Sequence, residues 1–126
     1  MSEFNAAGLD RLLTTGLEKF DRLTLHSDDP GEAGADNVVS AAPVACSWDT
    51  AESDGGTGRQ RKLAAAVEFT GATESTTVAY FGLWDNNSGT PVYLGRIARD
   101  SGDAATNAAG EYTVTTDTKI TLGMAS

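Results

Sequence analysis

Cysteine is all but missing from this chain. Cys46 stands alone, so neither an intrachain disulfide nor a cysteine-based zinc site can form, and a secreted scaffold stapled by disulfides is excluded. Long apolar runs are missing too. No stretch approaches the roughly 20 apolar residues that a membrane span needs, and the start Met1-Ser2-Glu3-Phe4 is acidic, unlike a signal peptide. A soluble chain made in the cytoplasm is expected. Positive charge is scarce: 9 Lys and Arg face 18 Asp and Glu, a net charge of −9, which opposes binding to nucleic acid or anionic lipid through bulk electrostatics. Large apolar side chains are also few. Leu, Ile, Val and Phe fill 23 of 126 positions, whereas Ala, Gly, Thr and Ser fill 58. That places the chain near the composition at which disorder sets in. Its length allows one domain, and folding must offset about 1 to 2 kcal/mol of backbone entropy per residue with little apolar surface. Completion by a partner surface is expected.

The large residues that are present fall into patterns. From Asn5 to Gly16 and just beyond, Leu9, Leu12, Leu13, Leu17 and Phe20 recur at spacings of three and four, which predicts an amphipathic helix of about three turns with Asn5 as its N-cap. From Asp21 the period becomes two. Leu23 and Leu25 alternate with Arg22, Thr24 and His26 as on a half-buried strand. Ser27 to Asn37, with Asp-Asp-Pro-Gly inside it, reads as a loop. Val44, Cys46 and Trp48 alternate next, then Leu63, Ala65, Val67 and Phe69, with the turn Asp54-Gly55-Gly56-Thr57-Gly58 between the two runs. Thr76 to Trp84 carries large residues on both faces and reads as a central strand. Asp85-Asn86-Asn87-Ser88-Gly89 turns it into a hairpin with Val92 to Ile97, and Tyr112 to Thr115 and Lys119 to Leu122 close the chain. The expected fold is mainly β: a small antiparallel sandwich or barrel of about seven or eight strands with one N-terminal helix. Residues 1–20 form helix and connector, within the same domain or as an anchor, and 21–126 the β domain. Trp48, Phe69, Phe81 and Trp84 are the expected large core residues.

Chemistry finds little purchase. His26 is the only histidine, and no G-x-S-x-G elbow accompanies it, so a hydrogen-bonded residue at a strand end is expected rather than a triad member. Cys46 alternates with apolar neighbours and reads as a small buried hydrophobe. Glu68 points away from Val67 and Phe69, toward solvent. Between Ser27 and Gly58 lie seven acids (Asp28, Asp29, Glu32, Asp36, Asp49, Glu52, Asp54) and no Lys or Arg. The loop 27–37 nevertheless lacks the ligand spacing of an EF-hand, and two of its carboxylates suit Asx turns. Gly55-Gly56-Thr57-Gly58 lacks the Lys-Ser/Thr of a phosphate loop. No catalytic residue, metal or cofactor is expected. For Tyr93, partner contact and plain packing both remain open.

Several segments in order carry a resemblance: the N-terminal helix; Leu23-Thr24-Leu25-His26-Ser27 running into Asp28-Asp29-Pro30-Gly31-Glu32-Ala33-Gly34-Ala35; Val78-Ala79-Tyr80-Phe81-Gly82-Leu83-Trp84-Asp85; the Asn-Ser-Gly hairpin with Tyr93-Leu94-Gly95; and Thr118-Lys119-Ile120-Thr121-Leu122. Together they resemble small structural proteins of tailed bacteriophage virions, the minor tail, fibre-like or head-associated β-sandwich proteins, while Val44 to Thr57 departs from that pattern. The resemblance implies a non-enzymatic virion component, a capsid decoration or tail protein whose partners are major capsid or tail proteins. Burial between copies suits a small β domain with few large side chains, so a homotrimer or larger assembly is expected. The stripe Leu9, Leu12, Leu13, Leu17 and Phe20 is the candidate docking surface. The competing expectation is a carbohydrate-binding β-sandwich using Trp84, Tyr93 and the acidic loop, with or without calcium.

Overall fold

The computed structural model describes residues 2–4, 19–40, 42–49, 52–53 and 59–122. Among the described residues the regular structure is almost wholly antiparallel β, in three sheets. The largest contains β1 (Ser2–Phe4), β2 (Arg22–His26), β3 (Val44–Ala45), β7 (Tyr80–Asp85) and β8 (Val92–Ala98), in the order β1-β8-β7-β2-β3. A second, in the order β10-β5-β4, is formed by β4 (Glu52–Ser53), β5 (Arg59–Lys62) and β10 (Lys119–Leu122). The third pairs β6 (Val67–Phe69) with β9 (Tyr112–Val114).

The apolar alternation in sequence becomes rows across the large sheet. Leu23 of β2 stands opposite Leu83 of β7, and Leu25 opposite Phe81, which in turn faces Ile97 of β8. All five side chains are buried. Val67, Phe69, Tyr112 and Val114 of the two-stranded sheet join the same apolar cluster, as do Leu63, Ile120, Trp48 and Phe20. One core therefore serves all three sheets, which is how a chain with few large residues concentrates the burial it has.

The β7–β8 hairpin forms as the turn chemistry predicts. Asn87, Ser88 and Gly89 all take positive φ in a single 3₁₀ turn at Asn87–Gly89, a conformation that Asn and Gly tolerate well. Two carboxylates pin the turn: Asp85 Oδ1 accepts the Asn87 amide and Asp21 Oδ1 the Asn86 amide, each at 2.9 Å. Beyond it the register slips by one residue. Leu83 pairs with Gly95 and Trp84 with Tyr93, leaving Leu94 as the extra residue of a β-bulge. The bulge lets Leu94 be fully buried while Tyr93 sits beside Trp84.

The structure departs from the sequence expectations in several places. The central strand expected over Thr76 to Trp84 begins only at Tyr80. The helix over 5–16, with Leu9, Leu12, Leu13 and Leu17, lies outside the described residues; residues 2–4, placed with the helix and connector, form strand β1 against β8. Phe20, grouped with the docking stripe, is instead fully buried in the core, and its carbonyl accepts the Trp48 Nε1–H at 2.8 Å. Trp84, expected in the core with Trp48, Phe69 and Phe81, is only half-buried and lies on the other face of the sheet from Phe81 and Leu83. The run from Lys62 to Phe69 does not form one strand. Leu63 bridges to Trp48, the three alanines that follow are exposed, and pairing resumes only at Val67.

Phe81→Ala is expected to cost about 3 to 5 kcal/mol, the usual range for emptying a buried aromatic site. Glu68→Ala, at an exposed position of β6, should stay within about 0.5 kcal/mol of wild type. Urea unfolding of both variants provides the comparison.

Candidate functional site

The second face of the large sheet carries the polar chemistry. Alternation places Thr24 and His26 of β2 beside Tyr80, Gly82 and Trp84 of β7 and Arg96 of β8, and the loop 27–38 folds back over them. Because of that cover, β2 is buried on both faces: Thr24 and His26 are enclosed as well as Leu23 and Leu25. The one-sided burial that alternation predicts for this strand is therefore corrected by the loop.

A chain of hydrogen bonds crosses this face. His26 Nδ1 lies 2.8 Å from the Asp36 carbonyl oxygen, which can only accept, so Nδ1 carries a proton and donates it. Burial holds the His26 pKa below its ordinary value, partly opposed by the bond to Asp36, and the ring is neutral. Its Nε2 is then an acceptor and takes the Thr24 hydroxyl proton at 2.7 Å. Thr24 Oγ1 in turn accepts the Trp84 Nε1–H at 2.9 Å. Every polar atom in this buried line has a partner.

Gly82 explains how three side chains meet over one strand. A Cβ there would come within 2.8 Å of His26 Nε2 and 3.1 Å of Trp84 Nε1, so only glycine leaves room for the network. Gly34 plays the matching part in the loop. Its φ is +70°, and a side chain would run into the rings of Tyr93 and Trp84, which meet edge to face with centroids 5.2 Å apart.

The loop has a second tie. Asp29 Oδ1 accepts the Gly31 amide at 2.9 Å, closing an Asx turn, and forms a 2.7 Å ion pair with Arg96 Nη1. The Gly31 amide and the Arg96 guanidinium together hold the Asp29 carboxyl below the usual carboxylate range. Arg96 also stands over the Tyr80 ring, 4.8 Å from its centroid. The loop is thus fastened near its start by Asp29 and on its return by His26, while Asp28, Asp29, Glu32 and Asp36 remain exposed.

The remaining candidates are parked. The Cys46 thiol donates to the Phe20 carbonyl at 3.3 Å, and burial, with the nearby Asp21, pushes its pKa up to about 12, the opposite of what a nucleophile needs. The Tyr112 hydroxyl donates to the Asp103 carbonyl at 2.7 Å and is likewise raised to about 12 by burial. Beside it a cleft of about 260 Å³ is lined by Glu68, Asp103, Asn107, Glu111, Tyr112 and their neighbours. Asn107 organises one wall: its side chain accepts the Glu111 and Ala109 amides and donates to Glu111 Oε1. Among the described residues no group of three or more His, Cys, Asp or Glu side chains is placed to hold a metal ion, and no helix is long and apolar enough to cross a membrane.

Trp84, Tyr93 and the acidic loop do come together, as the carbohydrate-binding expectation requires, but Gly34 sits over the aromatic pair. Thr24, Gly82 and Arg96 escaped notice in sequence. Their signals were a glycine inside an apolar central strand and a Thr two residues before the only histidine, a spacing that puts both on one face. Comparison with protein-family models, curated proteins and solved structures found no match for the chain.

Gly34→Ala is expected to cost about 1 to 3 kcal/mol through overpacking and positive φ, and to speed proteolytic cleavage within 27–38. Limited proteolysis beside urea unfolding tests both. Alkylation of Cys46 at pH 7 offers another check. Raising the pKa from 9 to about 12 cuts the thiolate roughly a thousandfold, partly offset by greater nucleophilicity, leaving labelling about 30- to 60-fold slower than in the unfolded chain.

Proposed function

We propose that this chain is a non-enzymatic structural protein of a tailed-bacteriophage virion, an accessory surface protein of the capsid or tail that works by self-association and by docking on other virion proteins. The observation that carries this reading is the use made of the reactive side chains. His26, Cys46 and Tyr112 each donate to a backbone carbonyl, and burial favours the neutral form of each. Their chemistry is spent on holding the fold, and the outward surface of the loop mixes the carboxylates of Asp28, Asp29, Glu32 and Asp36 with Ala33, Ala35, Asn37 and Val38.

Three of the segments that carry the phage resemblance support the same reading, because they are neighbours in space. Leu23 to Ala35, Val78 to Asp85 and Tyr93 to Gly95 supply β2 and its covering loop, β7, and the bulged part of β8. In this reading the three sheets are the layers of a small β-sandwich closed around their common core. Further apolar burial comes from a trimer or larger assembly, and the stripe Leu9, Leu12, Leu13 and Leu17 supplies the contact with a major capsid or tail protein. Assembly occurs in the host cytoplasm and the protein resides in the virion.

The convergence of Trp84, Tyr93 and the loop 27–38 favours one alternative, a carbohydrate-binding module for host attachment. Light scattering separates the two. A trimer or larger species is expected, and the combined substitutions Leu9→Ser, Leu12→Ser and Leu13→Ser, which leave strand β1 in place, should lower occupancy on virions. A monomer that binds host polysaccharide saturably, with binding abolished by chelation, would overturn the structural reading.

A further inference from the structure

We propose that His26 is a pH-sensitive latch: its protonation frees the return arm of the acidic loop, residues 34–37, from the sheet and uncovers Trp84 and Tyr93. The proposal rests on the loop geometry and stands apart from the virion reading. A ring that donates from Nδ1 and accepts at Nε2 is bound in a way that only a neutral imidazole allows. A proton on Nε2 turns that acceptor into a donor. Thr24 Oγ1, already accepting the Trp84 indole proton, must then accept from the ring as well and send its own hydroxyl proton elsewhere inside an enclosed site, and the new charge is shut away from water beneath the loop.

The surroundings offer the imidazolium little compensation. Tyr80 of β7 stands opposite His26 in the ladder. Arg96 of β8 brings a positive charge over the Tyr80 ring. From the loop, Asp29 is ion-paired with Arg96, and Asp36 presents its carbonyl to the ring. A bridge between His26 and Val38 carries the chain straight from the ring's own strand into the end of the return arm. Nδ1 keeps its proton and its bond to Asp36, so what opens the site is hydration of the buried charge, and the cover that must lift to admit water is residues 34–37, including Gly34 over the aromatic pair, while Asp29 keeps the outgoing arm tethered.

The direction with pH follows from linkage. A histidine whose folded pKa lies below its unfolded value contributes its full stability above the unfolded value of about 6.5, and that contribution is lost as pH falls from there toward the folded pKa. Asp29, held low, is still charged across this window.

Proton–nitrogen NMR of the intact chain between pH 7.5 and 4.5 tests the latch without ambiguity, since there is one histidine to titrate and there are two tryptophans. The Trp84 indole signal should move with the His26 ring, while that of Trp48, bonded to the Phe20 carbonyl, stays in place. Amide exchange at Asp36, whose N–H donates to the Pro30 carbonyl, and at Ser27, whose N–H donates to the Asn37 carbonyl, should rise at least tenfold after correction for intrinsic rates, with β7 still protected. His26→Gln should abolish both responses. The latch is refuted if the Trp84 signal and the loop amides ignore the His26 titration, if both tryptophans and β7 respond together as in global unfolding, or if His26→Gln retains the wild-type pH profile. Should that variant fail to fold, the wild-type titration decides alone.

Discussion

A strand buried on both faces has to find partners for whatever polar groups it carries, and β2 carries two, Thr24 and His26, in the middle of the molecule. Much else in the structure follows from that obligation. An unsatisfied buried hydroxyl or imidazole nitrogen costs about 1 to 3 kcal/mol, a sizeable fraction of the 5 to 15 kcal/mol by which such a domain is stable. The loop 27–38 meets the demand from one side by lending the Asp36 carbonyl, and Trp84 meets it from the other by lending its indole N–H. Gly82 then has to be glycine, because three side chains share the space above it. The half-buried position of Trp84 is part of the same solution: a tryptophan turned into the core would leave Thr24 without its donor.

This arrangement also divides the labour between the sheet's two faces. The apolar rows Leu23–Leu83 and Leu25–Phe81–Ile97 point toward the other two sheets, and the polar face is closed by a loop instead of a second sheet. Small residues suit the closure. Gly31 and Gly34 adopt positive φ and bring the backbone close enough to cover the aromatic pair, which a chain richer in large side chains could not do without clashes. The surplus of Ala, Gly, Thr and Ser that suggested disorder thus has a structural use in close backbone approach, while the few large residues are gathered into one core.

Local chemistry made much of this legible in sequence. Period-two alternation placed β2, large residues on both faces placed β7 from Tyr80 on, and Asn87-Ser88-Gly89 marked the hairpin to β8 because those residues accept positive φ. Asx turns were expected of two carboxylates in the loop 27–37, and Asp29 forms one. What failed to show depended on contacts distant in sequence. The bulge at Leu94 shifts the register opposite Trp84, and no local pattern encodes it. Alternation gives the side of a strand that a residue occupies but not what covers that side, so Trp84 was assigned to the core and His26 to an edge. Leu63 interrupts its strand in order to bridge Trp48, a tertiary pairing that overrides the local β preference of Leu63 to Phe69. Among site residues, the acidic loop and the aromatic pair could each be named, whereas their convergence required the fold.

The two ties of the loop respond to acid at different points, and the difference comes from their chemistry. His26 is held by geometry that only a neutral ring satisfies, so its contribution is present above about pH 6.5 and fades below it. Asp29 is held as an anion by the Gly31 amide and Arg96, so its contribution persists until the pH falls through its depressed carboxyl pKa. A loop fastened by one neutral base and one charged acid therefore loosens in two stages, the return arm before the outgoing arm. Had both ties been ion pairs to carboxylates, mild acid would have left the whole loop in place; had both been buried histidines, it would have come away as a unit. The pairing of a buried imidazole with an exposed salt bridge thus sets the order of release, an order that the net charge of −9 does not determine.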